Sequence, residues 1–314
     1  MKVWRAFTSL WWGVAAMTDL LKARLVKYFR SPLFRIAAVV SLVTGIYGGI
    51  YCTYFKDEVG NVLNCPTDDM WMLTAIWALI VLVAMCGGRE FSDGTIRNKI
   101  AVGHTKTSIF LTEIVVASVM AGILYLLNIV PTAIGGWFFL SAIPVSSAVK
   151  WFVDLFLVME LMGILAVSVT YLIAKRAVGV VAAFVLHFAL YIMVGLTSGY
   201  YDNINEPKEY VGISNYIHED GTVEEVETVF TNNYYIEGFP KTLVQIEHTV
   251  NPMYGLVDTV QYGYITDLSL ADDATIREGQ HRAWLLNFNI LKMTGWCMLT
   301  LGVGMYLFRK KDLK

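Results

Sequence analysis

The sequence predicts an all-α membrane protein with six transmembrane helices, an N-terminal amphipathic interfacial helix and a mixed extracytoplasmic domain between helices 5 and 6. Its 314 residues are 56% hydrophobic and 16% charged, whereas soluble domains are about 45–50% apolar and about 25% charged. Six apolar runs are each long enough to cross about 30 Å of hydrocarbon. Nine Trp and seventeen Tyr match the enrichment of these rings at bilayer interfaces.

Residues 1–31 are predicted to be a cytoplasmic segment that lies along the membrane surface. The apolar stripe is Leu21, Leu25 and Phe29, and the cations between them are Lys22, Arg24, Lys27 and Arg30. This spacing predicts an amphipathic helix with its stripe in the lipid and its cations toward anionic headgroups. The alternative is a basic tail that only sets topology. The first strong apolar run begins at Leu33 and is too long for the core of a cleavable signal peptide.

The spans are predicted at residues 33–55, 70–88, 108–130, 150–174, 177–198 and 284–308. The chain is thereby divided into the segment 1–31, five helices over 32–198 that include a loop at 89–107, an acidic extracytoplasmic domain over 199–283, and a sixth helix with a basic cytoplasmic tail over 284–314. Pro131, Gly135-Gly136 and Pro144 follow the third span. They predict a kinked or re-entrant hairpin in place of an open loop.

The distribution of cations predicts which side each loop occupies. With the N-terminus inside, the cytoplasmic segments hold seventeen of the 24 Lys and Arg residues, and the outer segments hold six. Cytoplasmic loops are enriched in Lys and Arg. We therefore expect both termini in the cytoplasm.

A polar island from Arg89 to Thr112 separates the second and third spans. Ser92 or Asp93 could cap a short helix there. Ile96 and Ile100 would lie one turn apart on that helix, and Gly103 is a plausible end. The sequence thus predicts a small charged helix with one apolar spot. The alternative is a solvated turn that only carries charge for topology.

The order of residues in this island resembles the loop between spans two and three of ABC-2-type exporter permeases. The likeness rests on Glu90, on Gly94-Thr95-Ile96-Arg97 and on the basic Lys106 before the next span. Lys106 stands where such loops often carry Arg, and Glu113 near where they often carry Lys. Across the rest of the chain the resemblance is one of hydropathy plan only.

The resemblance implies a coupling helix that docks on a separate ATPase subunit. The residues that would form this surface are Arg89, Glu90, Asp93, Gly94, Thr95, Arg97 and Lys99. It also implies a second permease copy, either identical or related, in a bacterial plasma membrane. ATP and Mg²⁺ would sit on the partner ATPase, and this chain would hold no cofactor.

The motifs of the common enzyme classes are absent from the sequence. There is no G-x-x-x-x-G-K-[ST] phosphate loop, no H-E-x-x-H, no Cys-x-x-Cys and no Gly-x-Ser-x-Gly. The five His residues are scattered, so no metal site is expected. A net charge of −2 implies no bulk attraction to nucleic acid. We therefore expect a subunit without enzymatic activity of its own.

Two ionisable residues fall inside predicted spans, where such groups are costly and often functional. Glu160 and Lys292 lie at similar depths from the outer side and could pair, either on a substrate path or as a structural ion pair; Lys292 could also extend to the outer surface. Asp154 is a shallower alternative partner. Glu113, near the inner end of span three, could reach Lys99 or Lys106.

Small residues and cysteines suggest further local features. Gly45-x-x-x-Gly49 in span one favours close helix packing, with a substrate groove or subunit seam as the alternative. Cys52 and Cys65 would both lie on the outer face and could form a disulfide, although two free thiols are slightly favoured. Cys86 and Cys297 fall within spans and are interpreted as small apolar residues.

The region 199–283 is acidic, and its function is open between a cap over the outer exit of a pathway and a solvated loop. Alternation at Thr222-Val223 and from Val226 to Phe230 allows a strand or hairpin. Residues 241–260 could form an amphipathic helix that breaks at Asn251-Pro252 and packs on the membrane surface. A negative field there would favour cationic molecules.

The function that these features predict is export driven by ATP that another subunit hydrolyses. The acidic outer region favours a cationic peptide or drug as cargo, as in self-protection against antimicrobial peptides. The alternative is a secondary transporter or channel driven by an ion gradient, with Glu160 and Lys292 as the ion-handling pair.

Overall fold

Helices dominate the part of the chain that the structure describes. The structure is a computed structural model that describes residues 17–54, 69–136, 145–202, 207–217, 223–254 and 273–312. Its helices are α1 (residues 17–29), α2 (Pro32–Tyr54), α3 (Asp69–Ser92), α4 (Thr95–Ala101), α5 (Lys106–Gly135), α6 (Val145–Ile173), α7 (Arg176–Asp202), α8 (Gly238–Val250) and α9 (Asp273–Lys310). Between α7 and α8, strands β1 (Glu209–Ile217) and β2 (Val223–Thr231) form an antiparallel pair.

Six of these helices, within the described residues, are long and apolar enough to cross a membrane. The candidate spans are Pro32–Tyr51, Trp71–Ser92, Lys106–Gly135, Ala148–Ile173, Arg176–Tyr201 and Asn287–Lys310. The predicted number of spans is confirmed, and most predicted ends differ by only a few residues. The chain is therefore a multi-pass membrane protein.

The third span differs from the prediction because α5 continues through Pro131 to Gly135. Pro131 removes one backbone hydrogen bond, but its polar neighbours bind the adjacent helices. Thr132 Oγ1 donates to the Gly45 carbonyl at 3.1 Å. Asn128 Nδ2 donates to the carbonyls of Ser41 at 3.3 Å and Trp71 at 3.2 Å. These bonds hold α5 against α2 and α3, as is usual where membrane helices tolerate proline. The predicted hairpin beyond α5 includes residues 137–144, which lie outside the described residues.

The Gly45-x-x-x-Gly49 pattern packs α2 directly on the backbone of α5. A Cβ atom on Gly45 would overlap the Asn128 carbonyl, and one on Gly49 would lie 2.5 Å from the Pro131 carbonyl oxygen. Gly135 meets Gly49 in the same way. The prediction of close helix packing is confirmed, because only a residue without Cβ fits at this crossing.

The chain divides into two compact units, Met1–Phe188 with Gly255–Lys314, and Ala189–Tyr254. In the first unit, the spans of α3, α5 and α6 are 61%, 50% and 61% buried, against 28% for α2 and 17% for α9. The core of this unit therefore lies among α3, α5 and α6. Helix α2 packs mainly on α5, and α9 packs mainly on α6.

The second unit contains the end of α7, the β1–β2 hairpin and α8. In the hairpin, Glu209 lies opposite Thr231 and Ile217 opposite Val223, which confirms the strand prediction for this region. Helix α8 ends at Val250 with Asn251 as its C-cap, so the predicted break at Asn251-Pro252 is confirmed.

The acidic residues 218–220 and the pair Cys52 and Cys65 fall on positions whose side chains the structure does not describe, so the predictions for them stay open.

Candidate functional site

The polar island between the second and third spans forms a tight helix–turn–helix corner. Gly94 takes a left-handed conformation with φ 67° and precedes α4 without a side-chain cap, so the predicted cap at Ser92 or Asp93 is wrong. Asp93 instead accepts a hydrogen bond from Arg89 Nε at 3.2 Å. The Thr95 hydroxyl donates to the Glu90 carbonyl at 3.0 Å and fixes the turn. Gly103, with φ 102°, follows the end of α4 as predicted.

Helix α4 has one apolar anchor and an exposed polar face. Ile96 is 2% exposed, whereas Arg97 and Asn98 are exposed and Ile100 is half-buried. The 7-residue helix is too short to be stable alone. Its position therefore depends on Ile96 and on the charged side chains beneath it.

Glu90, on the last turn of α3, is a buried carboxylate at the centre of this corner. It is 2% exposed and lies between cations from two other helices. Arg24 Nη1 of α1 is 2.9 Å from Oε1, with the geometry of an ion pair and not of a hydrogen bond. Lys99 Nζ of α4 donates to Oε2 at 2.6 Å, and Lys27 Nζ lies 3.7 Å from Oε1.

Glu113, on the second turn of α5, is a second buried carboxylate beside the first. Arg24 donates to its Oε2 from Nε at 2.7 Å and also from Nη2. Tyr28 donates from its hydroxyl to Oε1 at 2.5 Å. Arg24 is 3% exposed and Tyr28 is fully buried. We call Arg24, Tyr28, Glu90, Lys99 and Glu113 the charge cluster; it joins α1, α3, α4 and α5.

The charge cluster contains two cations, Arg24 and Lys99, and two carboxylates, Glu90 and Glu113, so its formal charges sum to zero. Burial alone would lower the pKa of Arg24, but Glu113, Tyr28, Tyr171 and Glu90 together raise it above its ordinary value. Burial, followed by the Glu113 charge, raises the pKa of Tyr28 well above its ordinary value. Burial also lowers the pKa of Lys99 by more than the neighbouring Glu90 raises it. Arg24 is therefore a permanent cation and Tyr28 a neutral donor.

The position of Arg24 corrects the prediction for α1. The buried positions of α1 are Leu20, Arg24 and Tyr28, while Phe29 is 42% exposed. Arg24 thus points into the protein and not toward lipid headgroups. Glu113 pairs with Arg24 and not with the predicted Lys99 or Lys106. Residues 1–16 lie outside the described residues.

Two lysines bind the ends of further helices next to the cluster. Lys106 Nζ donates to the carbonyls of Arg309 at 3.3 Å and Lys311 at 2.5 Å. Lys311 Nζ donates to the carbonyls of Tyr171 at 3.3 Å and Leu172. The carbonyls at helix C-termini lack partners within the helix and attract such cations. The two lysines therefore link α5, α6 and α9 at this end. A cavity of about 120 Å³ opens beside them, lined by Phe91, Ile96, Arg97, Ala174, Lys311 and Asp312 among others.

The seven residues predicted for a docking surface fall into two groups. Arg89, Asp93 and Arg97 are exposed; Gly94, Thr95 and Lys99 are partly buried, and Glu90 is buried. The structure therefore separates an exposed face from residues that anchor it. No residue of the second group other than Lys99 can present a charge to a partner.

The structure records one neighbour for each residue of the predicted intramembrane pair Glu160 and Lys292. Ser118 lies near Glu160, and Lys292 lies 5.9 Å from the centre of the Phe288 ring. The pairing of Glu160 with Lys292 stays a prediction. Asp154, the alternative partner, is fully buried.

The comparisons with known proteins do not identify a family. No protein-family model matches the chain, and no curated protein matches it. Within the described residues, no group of three or more His, Cys, Asp or Glu side chains could hold a metal ion.

Proposed function

We propose that the chain is the permease subunit of an ABC-2-type exporter and that a separate ATPase subunit docks on α4. The observation that carries this proposal is the exposed face of α4, supported from beneath by the charge cluster. A short helix between two spans, fixed rigidly to several of them, is suited to receive force from a partner and pass it on.

The exposed face offers both charges to such a partner. Arg89, in the last turn of α3, and Asp93, just after α3, are 60% and 47% exposed. Arg97, in the first turn of α4, is also exposed. Exposed charges at an interface steer association and fix register more than they add affinity. The partner surface would carry complementary charges.

The charge cluster provides the path from this face to the spans. Lys99 links α4 to α3 through Glu90, and Arg24 links Glu90 to Glu113 of α5. Because the buried charges hold each other, α1, α3, α4 and α5 would move as one body. Alternation between inward- and outward-facing states would then be a rigid-body repacking of helices.

In this proposal α4 and both termini face the cytoplasm of a bacterial cell, and the β1–β2 hairpin faces outward. The assembled transporter would contain two permease copies, with ATP and Mg²⁺ bound to the ATPase subunits. The acidic hairpin, with Glu209 on β1 and Glu224, Glu225 and Glu227 on β2, supports a cationic cargo such as an antimicrobial peptide.

Co-purification tests the proposal directly. The tagged chain is isolated from its native membrane in mild detergent, and ATP hydrolysis by the isolated complex is measured for the wild type and for Arg97→Glu. We expect the wild type to retain an ATPase subunit that Arg97→Glu loses, with both chains expressed equally. The matched control is Lys208→Glu, which reverses an exposed cation outside α4 and should retain the ATPase.

Two results would reject the assignment. One is a wild-type chain that transports in vesicles with a proton gradient and without ATP, which would favour the ion-driven alternative. The other is an Arg97→Glu chain with unchanged ATPase retention and hydrolysis. Glu90→Lys would not separate docking from folding, because reversal of a buried charge would also disrupt the cluster.

A further inference from the structure

We propose that the C-terminal half of α8 and the turn that follows it are embedded in the hydrocarbon of the bilayer beside α7. The apolar face of α8 that points away from α7 would be covered by membrane lipid. This inference requires only that α7 crosses the membrane, so it is independent of the ATPase partner.

The contacts of α8 place its C-terminal end beside residues of α7 that precede the C-terminal end of α7. Asn251 Nδ2 donates to the Leu190 carbonyl at 2.9 Å, and Glu247 accepts a hydrogen bond from Thr197 at 2.8 Å. His248 stacks on Tyr201 with ring centres 3.5 Å apart. Leu190 precedes Tyr201 by eleven residues, or about 16 Å of helix.

The length of α7 converts this position into a depth in the membrane. Its candidate span of 26 residues measures about 39 Å, against about 30 Å of hydrocarbon. If the excess is shared between both ends, Leu190 lies about 12 Å inside the hydrocarbon. Because Asn251 binds its carbonyl, the C-terminal end of α8 also lies inside the hydrocarbon.

The polarity of α8 is inverted relative to a helix in water. Its apolar side chains Phe239, Leu243, Ile246 and Val250 are exposed by 72%, 48%, 53% and 51%. Its polar contacts, by contrast, point toward α7, and His248 is only 3% exposed. None of the exposed residues of α8 is charged: they are Gly238, Phe239, Pro240, Thr242, Leu243, Gln245, Ile246, Thr249 and Val250. A water-exposed helix shows the opposite arrangement.

The turn after α8 has its polar groups satisfied by the protein itself, as a turn in hydrocarbon requires. Asn251 Nδ2 also donates to Glu247 at 2.6 Å, and Asn251 Oδ1 accepts from the Met253 amide at 2.9 Å. The Tyr254 hydroxyl shares a hydrogen bond with Thr197 at 2.6 Å. Met253 and Tyr254 are 0% and 1% exposed. The turn therefore does not need water.

Lipid is favoured over a protein partner because the neighbouring face of α7 is exposed and apolar at the same depth. Ile192, Met193 and Leu196 are exposed by 53%, 46% and 64%, and they belong to a membrane span. The apolar faces of α7 and α8 would be covered together by acyl chains. Helix α8 would then enter the membrane with its N-terminal half at the headgroups.

Site-directed spin labelling tests this arrangement. The four cysteines are replaced, single cysteines are introduced as Phe239→Cys, Leu243→Cys and Ile246→Cys, and the full chain is reconstituted in phosphatidylethanolamine–phosphatidylglycerol vesicles. Collision rates with oxygen and with a water-soluble nickel chelate are measured. Val102→Cys, at an 81% exposed position beside α4, is the aqueous control, and Val185→Cys, at a 62% exposed position within α7, is the lipid control.

We expect the oxygen-to-nickel ratio to rise several-fold from Phe239 through Leu243 to Ile246, with the ratio at Ile246 between those of the aqueous and the lipid control. A high nickel rate at all three sites would place α8 in water and overturn the proposal. Low rates with both reagents would show protein contact, by a second copy or another segment, and would also overturn it. Equal ratios at all three sites would place α8 flat on the surface and reject insertion.

Discussion

Glu113 accepts hydrogen bonds from Arg24 and Tyr28 in a site that water does not reach. Replacement by Gln keeps the shape but leaves Arg24 and Lys99 to share the single carboxylate of Glu90, so that one buried positive charge is uncompensated. Removal of one partner from a buried pair costs about 3–5 kcal/mol. We expect Glu113→Gln to lower the midpoint of thermal unfolding strongly in detergent or nanodiscs.

The exposed pair Arg89 and Asp93 supplies a matched comparison for Glu113→Gln. Both side chains are largely exposed, so Asp93→Asn should cost less than about 1 kcal/mol. In addition, Arg24→Met combined with Glu113→Gln should recover part of the stability that Glu113→Gln alone loses, because it removes the uncompensated charge. Equal unfolding midpoints for Glu113→Gln and Asp93→Asn would refute the buried cluster.

Tyr28 links the stability of the cluster to alkaline pH. Its pKa in the folded protein is raised well above the ordinary value of 10.0 by burial and by Glu113. The folded state therefore keeps a proton that the unfolded state releases above pH 10, so this contribution to stability is present below that pH and is lost as the pH rises. Tyr28→Phe lacks the hydroxyl and should be destabilised by about 1–3 kcal/mol near neutral pH.

The difference in unfolding free energy between wild type and Tyr28→Phe should therefore shrink as the pH increases above 10. Chemical unfolding of both proteins over a series of alkaline pH values measures this difference. A gap that stays constant over the series would mean that Tyr28 titrates with the same pKa in both states.

At the scale of an element, α2 depends on glycine where it crosses α5. Gly45→Ala places a Cβ atom on the Asn128 carbonyl, and the backbone there cannot move as a flexible side chain would. Overpacking of this kind costs about 1–3 kcal/mol. The matched control is Gly302→Ala on α9, where a Cβ atom meets nothing within 4 Å. Thermal unfolding should separate the two variants, and a neutral Gly45→Ala would disprove the close crossing.

The sequence was sufficient to predict the elements that hydropathy and glycine spacing determine. The six spans, the glycine crossing, the short helix α4 and its end at Gly103 follow from local patterns. The cap of α4 was wrong because Gly94 forms the turn by its left-handed conformation, which a search for polar cap residues passes over. The continuation of α5 past Pro131 cannot be predicted from the local sequence, because the bonds of Asn128 and Thr132 that hold α5 there reach across to other helices.

The charge cluster could not be predicted in full because its members come from four helices. Leu20, Arg24 and Tyr28 share the same four-residue spacing as Leu21, Leu25 and Phe29, and hydropathy favoured the second stripe. A buried Arg becomes recognisable only when Glu90 and Glu113 are known to meet there. The island itself was identified correctly, but its buried and exposed residues could not be told apart.

At the scale of the whole molecule, an even number of spans requires both termini on one side of the membrane. The corner at α4 lies after two spans, and the β1–β2 hairpin lies after five. Most Lys and Arg residues lie in the segments predicted on the same side as α4, and cytoplasmic loops are enriched in these residues. We therefore expect α4 and the C-terminus inside the cell and the hairpin outside.

Cysteine labelling in intact cells measures this topology. A membrane-impermeant maleimide should modify a single cysteine at Lys208, beside the hairpin, in intact cells, and one at Val102 only after permeabilisation. A single cysteine at Lys310 near the C-terminus should behave like the one at Val102, because four further spans separate these two positions. Labelling of Lys208→Cys only after permeabilisation would mean that the protein has the opposite orientation in the membrane. Opposite behaviour of Val102→Cys and Lys310→Cys would mean that one of the four helices between them does not cross.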